Sequence, residues 1–282
     1  MKQLKGAKIA KEILDRLRVV LDGKNAKPAL AVVLVGDDPA SRLYVDLKEK
    51  AAKQIGMRFF RFTFFAKADE QQIIETIQNI NSDPTIHAMI VQLPLPDTLD
   101  TKKIIDAIDP QKDADGFSPR SEFAKSENFD HIPMLPVFPK AIIKLIESSG
   151  QQTIGKKAIT IANSPKFGKT MTKMLSSRGM FAQYILSSDF EQQKELIRDA
   201  DVIVSAVGKH GFIKGGDLKE GVIVIDGGIE KAGEKVCGDL DGQSVQEMIG
   251  WYSPVPGGVG PVTIACLLEN VYNAFEAQKR EK

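Results

Sequence analysis

Strand-length apolar runs that alternate with helix-period segments narrow the folds open to this chain more than any other feature. Leu30–Val35 is a continuous apolar run closed by Gly36-Asp37-Asp38, which reads as a strand buried on both faces. Further strands are predicted at Met57–Phe65, Ala88–Leu93, Lys157–Ala162, Phe181–Leu186, Asp201–Gly208 and Val222–Gly228. From Lys8 to Leu21, apolar Ile9, Ile13, Leu14, Leu17 and Leu21 recur with a helical period. Other helices are predicted from Ala40 to about Ile55, with Gly56 as the stop, and over Glu70–Asn81, Thr101–Ile108 and Lys140–Ser149. The alternation implies an α/β fold whose parallel sheets are joined by crossover helices. Asp113–Pro139 has no clear period and marks a domain junction.

Composition excludes several classes of function. The 282 residues suit one large or two medium domains, and a 43% hydrophobic content can fill their cores. Basic and acidic residues number 38 and 37, so there is no cationic excess of the kind a nucleic-acid binder shows. The two cysteines, Cys237 and Cys266, have neither disulfide-framework nor zinc spacing, and no metal site is suggested. No apolar run reaches membrane-spanning length, and Met1–Lys5 leads into an amphipathic helix rather than an apolar signal core. A cytoplasmic protein without membrane or nucleic-acid partners is expected.

Several residues could carry chemistry. Tyr44 and Lys48 stand four apart on one predicted helix and share a face. They form either a proton-transfer pair or an amphipathic face with a lysine stem lying on apolar surface. Gln92 falls at the carboxyl end of a strand, where ligands of open α/β sheets bind, and its carboxamide can donate and accept. Its simpler role is to cap the Pro94-Leu95-Pro96 turn. Asp115 could hold an amidine-like ring edge, or belong only to an Asp-Gly turn. Lys157–Ala162, the turn Asn163–Gly168 and a helix through Leu175 make the strand–turn–helix of a mononucleotide-binding pattern. Ser253–Thr263 holds prolines 254, 256 and 261 and glycines 257, 258 and 260. It is expected to be a stiff loop, neither helix nor strand, before a last helix from about Thr263 to Lys279.

Four ordered motifs carry a resemblance. Pro254-Val255-Pro256-Gly257-Gly258-Val259-Gly260-Pro261-x-Thr263 resembles the C-terminal signature of the bifunctional methylenetetrahydrofolate dehydrogenase/cyclohydrolase (FolD) family. Ser41-x-x-Tyr44-Val45-x-x-Lys48, Val91-Gln92-Leu93-Pro94-Leu95-Pro96 and Lys112-Asp113-x-Asp115-Gly116-Phe117 match three others. The resemblance implies an N-terminal folate-binding domain over 1–120 plus 264–282, a Rossmann-like NAD(P)-binding domain over 140–263, an active-site cleft between them, and a homodimer. It implies that Lys48 is catalytic, that Tyr44 and Gln92 position and tune it, and that Asp115 holds the pterin ring. Leu93 and the Pro256-Gly257-Gly258 loop would border the folate. The implied reactions are oxidation of 5,10-methylenetetrahydrofolate and hydrolysis of the methenyl product to 10-formyltetrahydrofolate. A monofunctional cyclohydrolase and a non-catalytic folate-binding module are the alternatives.

The same resemblance places the dinucleotide against Asn163, Ser164 and Gly168 of the first turn. It adds Ser187 after the next strand, then Ala206, Gly208, Gly228 and Ile229, and finally Gly257, Gly258 and Thr263. The match is incomplete here. Asn163 stands where the family usually has an arginine for a 2′-phosphate, so NADP and NAD both remain open. Ile185-Leu186-Ser187 stands for Cys-His-Ser, and Pro136-Val137-Phe138-Pro139 for Pro-Cys-Thr-Pro. Ala206-Val207-Gly208, Asp226-x-Gly228-Ile229 and Gly238-Asp239 keep the pattern.

Overall fold

The computed structural model describes residues 1–126, 129, 132–232 and 235–280. In chain order the first elements are β1 (Lys2–Gln3), α1 (Gly6–Leu21), β2 (Ala29–Val35), α2 (Pro39–Gln54), β3 (Arg58–Phe64), α3 (Glu70–Ser82) and β4 (Ala88–Val91). Next come α4 (Thr101–Asp106), α5 (Glu122–Lys125), α6 (Val137–Ser148), β5 (Lys157–Ala162), α7 (Pro165–Ser176), β6 (Phe181–Leu186) and α8 (Lys194–Arg198). The chain continues through β7 (Val202–Ala206), β8 (Val222–Asp226), β9 (Glu230–Ala232), β10 (Lys235–Cys237), β11 (Gly250–Tyr252) and α9 (Val259–Arg280).

The chain divides into two compact units. One holds Met1–Ala10 and Phe138–Thr263, the other Lys11–Val137 and Ile264–Lys282. Residues 1–10, expected with the N-terminal domain, group with the other unit because Lys2 and Gln3 pair in parallel with Trp251 and Tyr252. The chain therefore passes between the units within α1, at the start of α6 and within α9.

The Lys11–Val137 unit is built on a three-stranded parallel sheet in the order β3-β2-β4. All seven residues of β2 are buried, which accounts for its unbroken apolar run. Ile73, Ile74, Ile77 and Ile80 of α3 pack with Ala31, Val33, Met89 and Val91 of the sheet. Burial of each such isoleucine stabilises the unit by about 1.5–3 kcal/mol. The chain runs from β2 to neighbouring β3 and then returns to β4 on the other side of β2, so the order reverses between β2 and β4.

The other unit holds a six-stranded parallel sheet in the order β1-β11-β8-β7-β5-β6. Here the order reverses between β5 and β7, a topological switch point of the kind that binds ligands outside the strands' carboxyl ends. Ile159, Ile161, Ile203, Val222 and Val224 supply its core together with Ile197 of α8 and Phe190. One expectation fails in detail. The Pro- and Gly-rich stretch is not wholly irregular, because α9 begins at Val259 and takes Gly260 and Pro261 into its first turn. Proline is tolerated there, since first-turn amides have no intrahelical acceptor.

Candidate active site

Lys48, Gln92 and Asp115 meet at the carboxyl end of the three-stranded sheet. Helix α2 carries Tyr44 and Lys48 one turn apart, and its start is fixed by Pro39 at the first position and by Asp38, whose carboxylate accepts from the Ser41 amide at 2.7 Å. Gln92 follows β4 and extends its ladder, donating its amide to the Val33 carbonyl at 2.9 Å. The Gln92 side chain faces two ways. Its Oε1 accepts from Lys48 Nζ at 2.7 Å, and its Nε2 donates to the Leu93 carbonyl at 2.6 Å. The capping and the chemical readings of Gln92 therefore describe one geometry, since the turn orients the carbonyl that receives the lysine. Leu93 itself is exposed and contributes its backbone oxygen to this arrangement.

Asp115 completes the group electrostatically. Burial pushes its pKa up to about 6; the charge of Lys48 opposes that rise and the charge of Asp113 reinforces it. Burial likewise pushes the Lys48 ammonium below the ordinary lysine range, and the Asp115 carboxylate partly restores it. The two groups thus approach neutrality from opposite sides, the arrangement a proton-transfer site requires. Tyr44 is 36% exposed on the same helix, and among the described residues it makes no hydrogen bond to Lys48.

The Asp115 loop is held by residues outside the expected set. Lys112–Ala114 runs beside β4, with Met89 donating to the Lys112 carbonyl at 2.7 Å and Ala114 donating to Met89 at 3.1 Å. Asp113, not Asp115, makes the turn: its carboxylate accepts from the Gly116 and Ser118 amides at 3.1 and 2.8 Å. Lys112 lies buried with its ammonium on the Ile80 and Asp83 carbonyls at the end of α3. Asn270 of α9 is fully buried and donates to the Ala114 and Leu135 carbonyls, both at 2.8 Å. Nothing in the α9 sequence distinguishes Asn270 from an ordinary polar helix residue.

In the other unit the expected dinucleotide residues separate into exposed and buried groups. Asn163 and Ser164 are exposed in the β5–α7 turn, and Ser164 caps α7 by accepting from the Phe167 amide at 3.4 Å. Asn163 Oδ1 accepts from Ser187 Oγ at 2.7 Å, and its Nδ2 donates to the Val207 carbonyl at 2.6 Å. Ala206 ends β7, Gly208 follows with φ of 73°, and Ile229 is 52% exposed. Gly168 is buried and tightly packed, since a Cβ there would stand 2.4 Å from the Tyr184 ring. Gly228 is also buried; its Cβ would fall 2.0 Å from an Asp239 carboxylate oxygen. Pro256 follows a cis peptide bond, Gly257 has φ of 102° and accepts from the Gly6 amide at 2.8 Å, and the Thr263 hydroxyl is bound to the Gly260 carbonyl at 2.7 Å. At Gly258 a Cβ would meet the Pro254 carbonyl at 2.6 Å. Phe138 packs its ring on Phe167 of the turn, with centroids 5.4 Å apart.

Two aspartates frame these loops. Asp239 accepts from Ser205 Oγ at 2.5 Å and from the Val207 and Lys209 amides, both at 2.8 Å. Asp226 accepts from the Gly228 and Asp239 amides at 3.0 Å and from the Leu240 amide at 2.9 Å. Both lay within motifs visible in the sequence, but their work as acceptors depends on strands that only the fold brings together. The loops they hold end at the switch point and leave Asn163, Ser164 and Ile229 accessible, a setting that fits a dinucleotide.

Comparison with known proteins agrees with both units. Residues 4–115 match the family model described as tetrahydrofolate dehydrogenase/cyclohydrolase, catalytic domain. Residues 136–279 match its NAD(P)-binding domain. The bifunctional protein FolD of Moorella thermoacetica is 40% identical over 275 residues, covering 96% of this chain and 97% of that protein. The crystal structure of the bifunctional FolD from Campylobacter jejuni superposes with a TM-score of 0.90 at 34% identity, covering 98% of this chain and 99% of the other. The Trypanosoma brucei FolD, solved with NADP and an inhibitor, gives 0.91 at 26% identity over 98% of this chain and 97% of its own. With its catalytic and NAD(P)-binding halves both matched, the chain belongs to the tetrahydrofolate dehydrogenase/cyclohydrolase family.

Proposed function

We propose that Lys48, Gln92 and Asp115 form the working centre of the two activities that family membership gives this chain. These are oxidation of 5,10-methylenetetrahydrofolate and hydrolysis of 5,10-methenyltetrahydrofolate to the 10-formyl compound. The observation that carries the proposal is the Lys48–Gln92 hydrogen bond beside Asp115, in a setting that moves both ionisable groups toward neutrality.

The chain uses NAD or NADP, which supplies a hydride acceptor for the first reaction. Asn163, Ser164, Ser187, Gly208 and Ile229 are the residues that would hold it. The remaining chemistry falls to the folate side. Asp115 accepts hydrogen bonds from the fused aminopyrimidine ring and fixes the substrate's orientation. Leu93 offers surface to the folate. In the hydrolysis, water attacks the methenyl carbon and Lys48, neutral at that moment, takes a proton from it. The adduct then opens at the bond to N5: Lys48 returns the proton to that nitrogen, and the adduct's hydroxyl loses its own proton to solvent as it becomes the formyl carbonyl. The overall step consumes one water and releases one proton. A neutral amine tolerates the cationic substrate that an ammonium would repel, and the Gln92 carbonyl keeps Nζ aimed. Tyr44, one turn away, would border the same substrate.

We also infer a cytoplasmic homodimer, as the resemblance implies; light scattering on the purified protein tests the dimer. Among the described residues no helix is long and apolar enough to cross a membrane. The active-site proposal is tested by following loss of methenyltetrahydrofolate absorbance with wild type and Lys48→Met. Loss of roughly 10²–10⁴-fold in rate, with the melting temperature and dinucleotide binding retained, is expected for removal of a general acid–base group. An unchanged rate would remove Lys48 from the mechanism.

A further inference from the structure

The carboxyl ends of β5, β6 and β7 carry a feature that bears on which dinucleotide the chain accepts. Ala162 is in register with Leu186 on one side and Ala206 on the other, so Asn163, Ser187 and Val207 follow side by side. This is the switch point of the sheet. Asn163 bridges it with both ends of its amide, taking the Ser187 hydroxyl hydrogen on Oδ1 and donating from Nδ2 to the Val207 carbonyl. The amide is therefore fixed as a neutral crosslink between three strand ends.

The segment that follows β6 carries acidic side chains, and the exposed Lys209 beyond β7 holds its ammonium 5.8 Å from the Phe212 ring centroid. Ser187-Ser188-Asp189-Phe190-Glu191-Gln192-Gln193 contains no lysine or arginine. Asp189 is exposed, with its Oδ1 accepting from Ser188 Oγ at 2.9 Å. The next cation, Lys194, already pairs with Glu191 at 2.9 Å and lies 3.7 Å from Asp217. Lys166 and Lys169 on α7 are exposed, strongly hydrated point charges on flexible stems. In this fold a carboxylate at the end of the second strand suits a free ribose 2′-hydroxyl, whereas a 2′-phosphate calls for a guanidinium.

We propose that Asn163, locked to Ser187 and flanked by Asp189, makes this chain selective for the adenine dinucleotide without a 2′-phosphate. The inference rests on the dinucleotide reading of this unit. It assigns to three of its residues a choice that family membership leaves open.

The test is calorimetric binding to the whole protein of NAD and NADP, and of ADP-ribose and its 2′-phosphate, which lack the nicotinamide. Wild type is expected to bind NAD and ADP-ribose at least about tenfold more tightly than their 2′-phosphorylated counterparts, the order of one charge-assisted contact. Asn163→Arg is expected to narrow or reverse that ratio by tightening the phosphorylated pair, with a melting temperature showing that it folds. Equal or tighter binding of NADP by wild type would overturn the inference. So would an unchanged ratio in Asn163→Arg, or binding of neither dinucleotide. Hydrolysis of methenyltetrahydrofolate, followed in the same preparation without dinucleotide, separates failure of this inference from failure of the folate reading.

Discussion

Asp115 in one unit and Asp226 in the other are carboxyl groups whose pKa is pushed up to about 6, in both cases chiefly by burial. Their surroundings differ. Asp226 is surrounded by three backbone amides that favour its ionised form, and the nearby Asp239 charge works against it. Asp115 has a basic side chain instead, Lys48, itself held below its ordinary range. The first arrangement consumes the carboxylate's hydrogen-bonding capacity in shaping loops. The second leaves it for a ligand and gives it a proton-transfer neighbour. A raised pKa therefore marks a constrained environment in both units, and only the identity of the partner separates a structural acid from a chemical one.

Substitution of each aspartate by its amide can break this comparison. The largest effect is expected for Asp115→Asn on turnover: both activities should fall by about 10²-fold or more, because a neutral amide neither holds the ring as an anion nor supports Lys48. Near-normal steady-state rates would place Asp115 with Asp226 as a framework residue. Asp226→Asn should act on the fold. An amide set among three amide donors must turn an NH₂ toward at least one of them, costing about 1–3 kcal/mol per orphaned donor, and denaturant melts of the variant measure it. Asn270→Ala should follow, leaving the Ala114 and Leu135 carbonyls without their side-chain donor. The expected result is a loss of about 1–3 kcal/mol in stability together with a raised KM for folate, since the Asp115 loop loses its anchor. A raised KM without any change in melting would point to direct folate contact instead.

The smallest expected effect is the most discriminating. The folded chain holds a proton on Asp115 up to about pH 6, whereas the unfolded chain releases it near the ordinary carboxyl value of 3.8. Ionisation of Asp115 therefore lowers stability as pH rises from about 4 to about 6, and the full penalty persists above that. Asp115→Asn removes it, so the variant should melt above wild type at pH 7.5, with the difference shrinking toward pH 4. Asp226→Asn sheds a similar ionisation penalty but adds the cost of its orphaned donor at every pH, so it should melt below wild type near pH 4 and gain less than Asp115→Asn at pH 7.5. Melting curves across that range would sharpen the distinction, and equal shifts of the two variants near pH 4 would erase it.

Much of this was legible in the sequence for a simple physical reason. Strands buried on both faces are mostly apolar, so β2 appears as an unbroken run and β5, β7 and β8 as runs interrupted inside the sheet only by Thr160 and Ser205. Lys48 stood out by its four-residue spacing from Tyr44, Gln92 by its place at a strand's carboxyl end, and Asp115 through the motif Lys112-Asp113-x-Asp115-Gly116-Phe117. What escaped has no local signal. Lys2–Gln3 and Gly250–Tyr252 are too short to show a period, so their pairing, and with it the placement of residues 1–10, could not be read. The start of α9 was obscured by Gly260 and Pro261. The packing of Gly168 could not be read either, because it depends on Tyr184 from a different strand. The work of Asp239 and Asn270 likewise depends on partners distant in the chain.

Asn270 also ties function to the order of synthesis. It donates to the Ala114 carbonyl across 156 residues of sequence. Domains generally begin to fold as they leave the ribosome, N-terminal segments first. Lys48, Gln92 and Asp115 all emerge before the following unit, but the loop bearing Asp115 gains this clamp only after that unit has been made. A nascent chain interrupted before α9 would therefore carry every proposed reacting group without the clamp that holds the Asp115 loop.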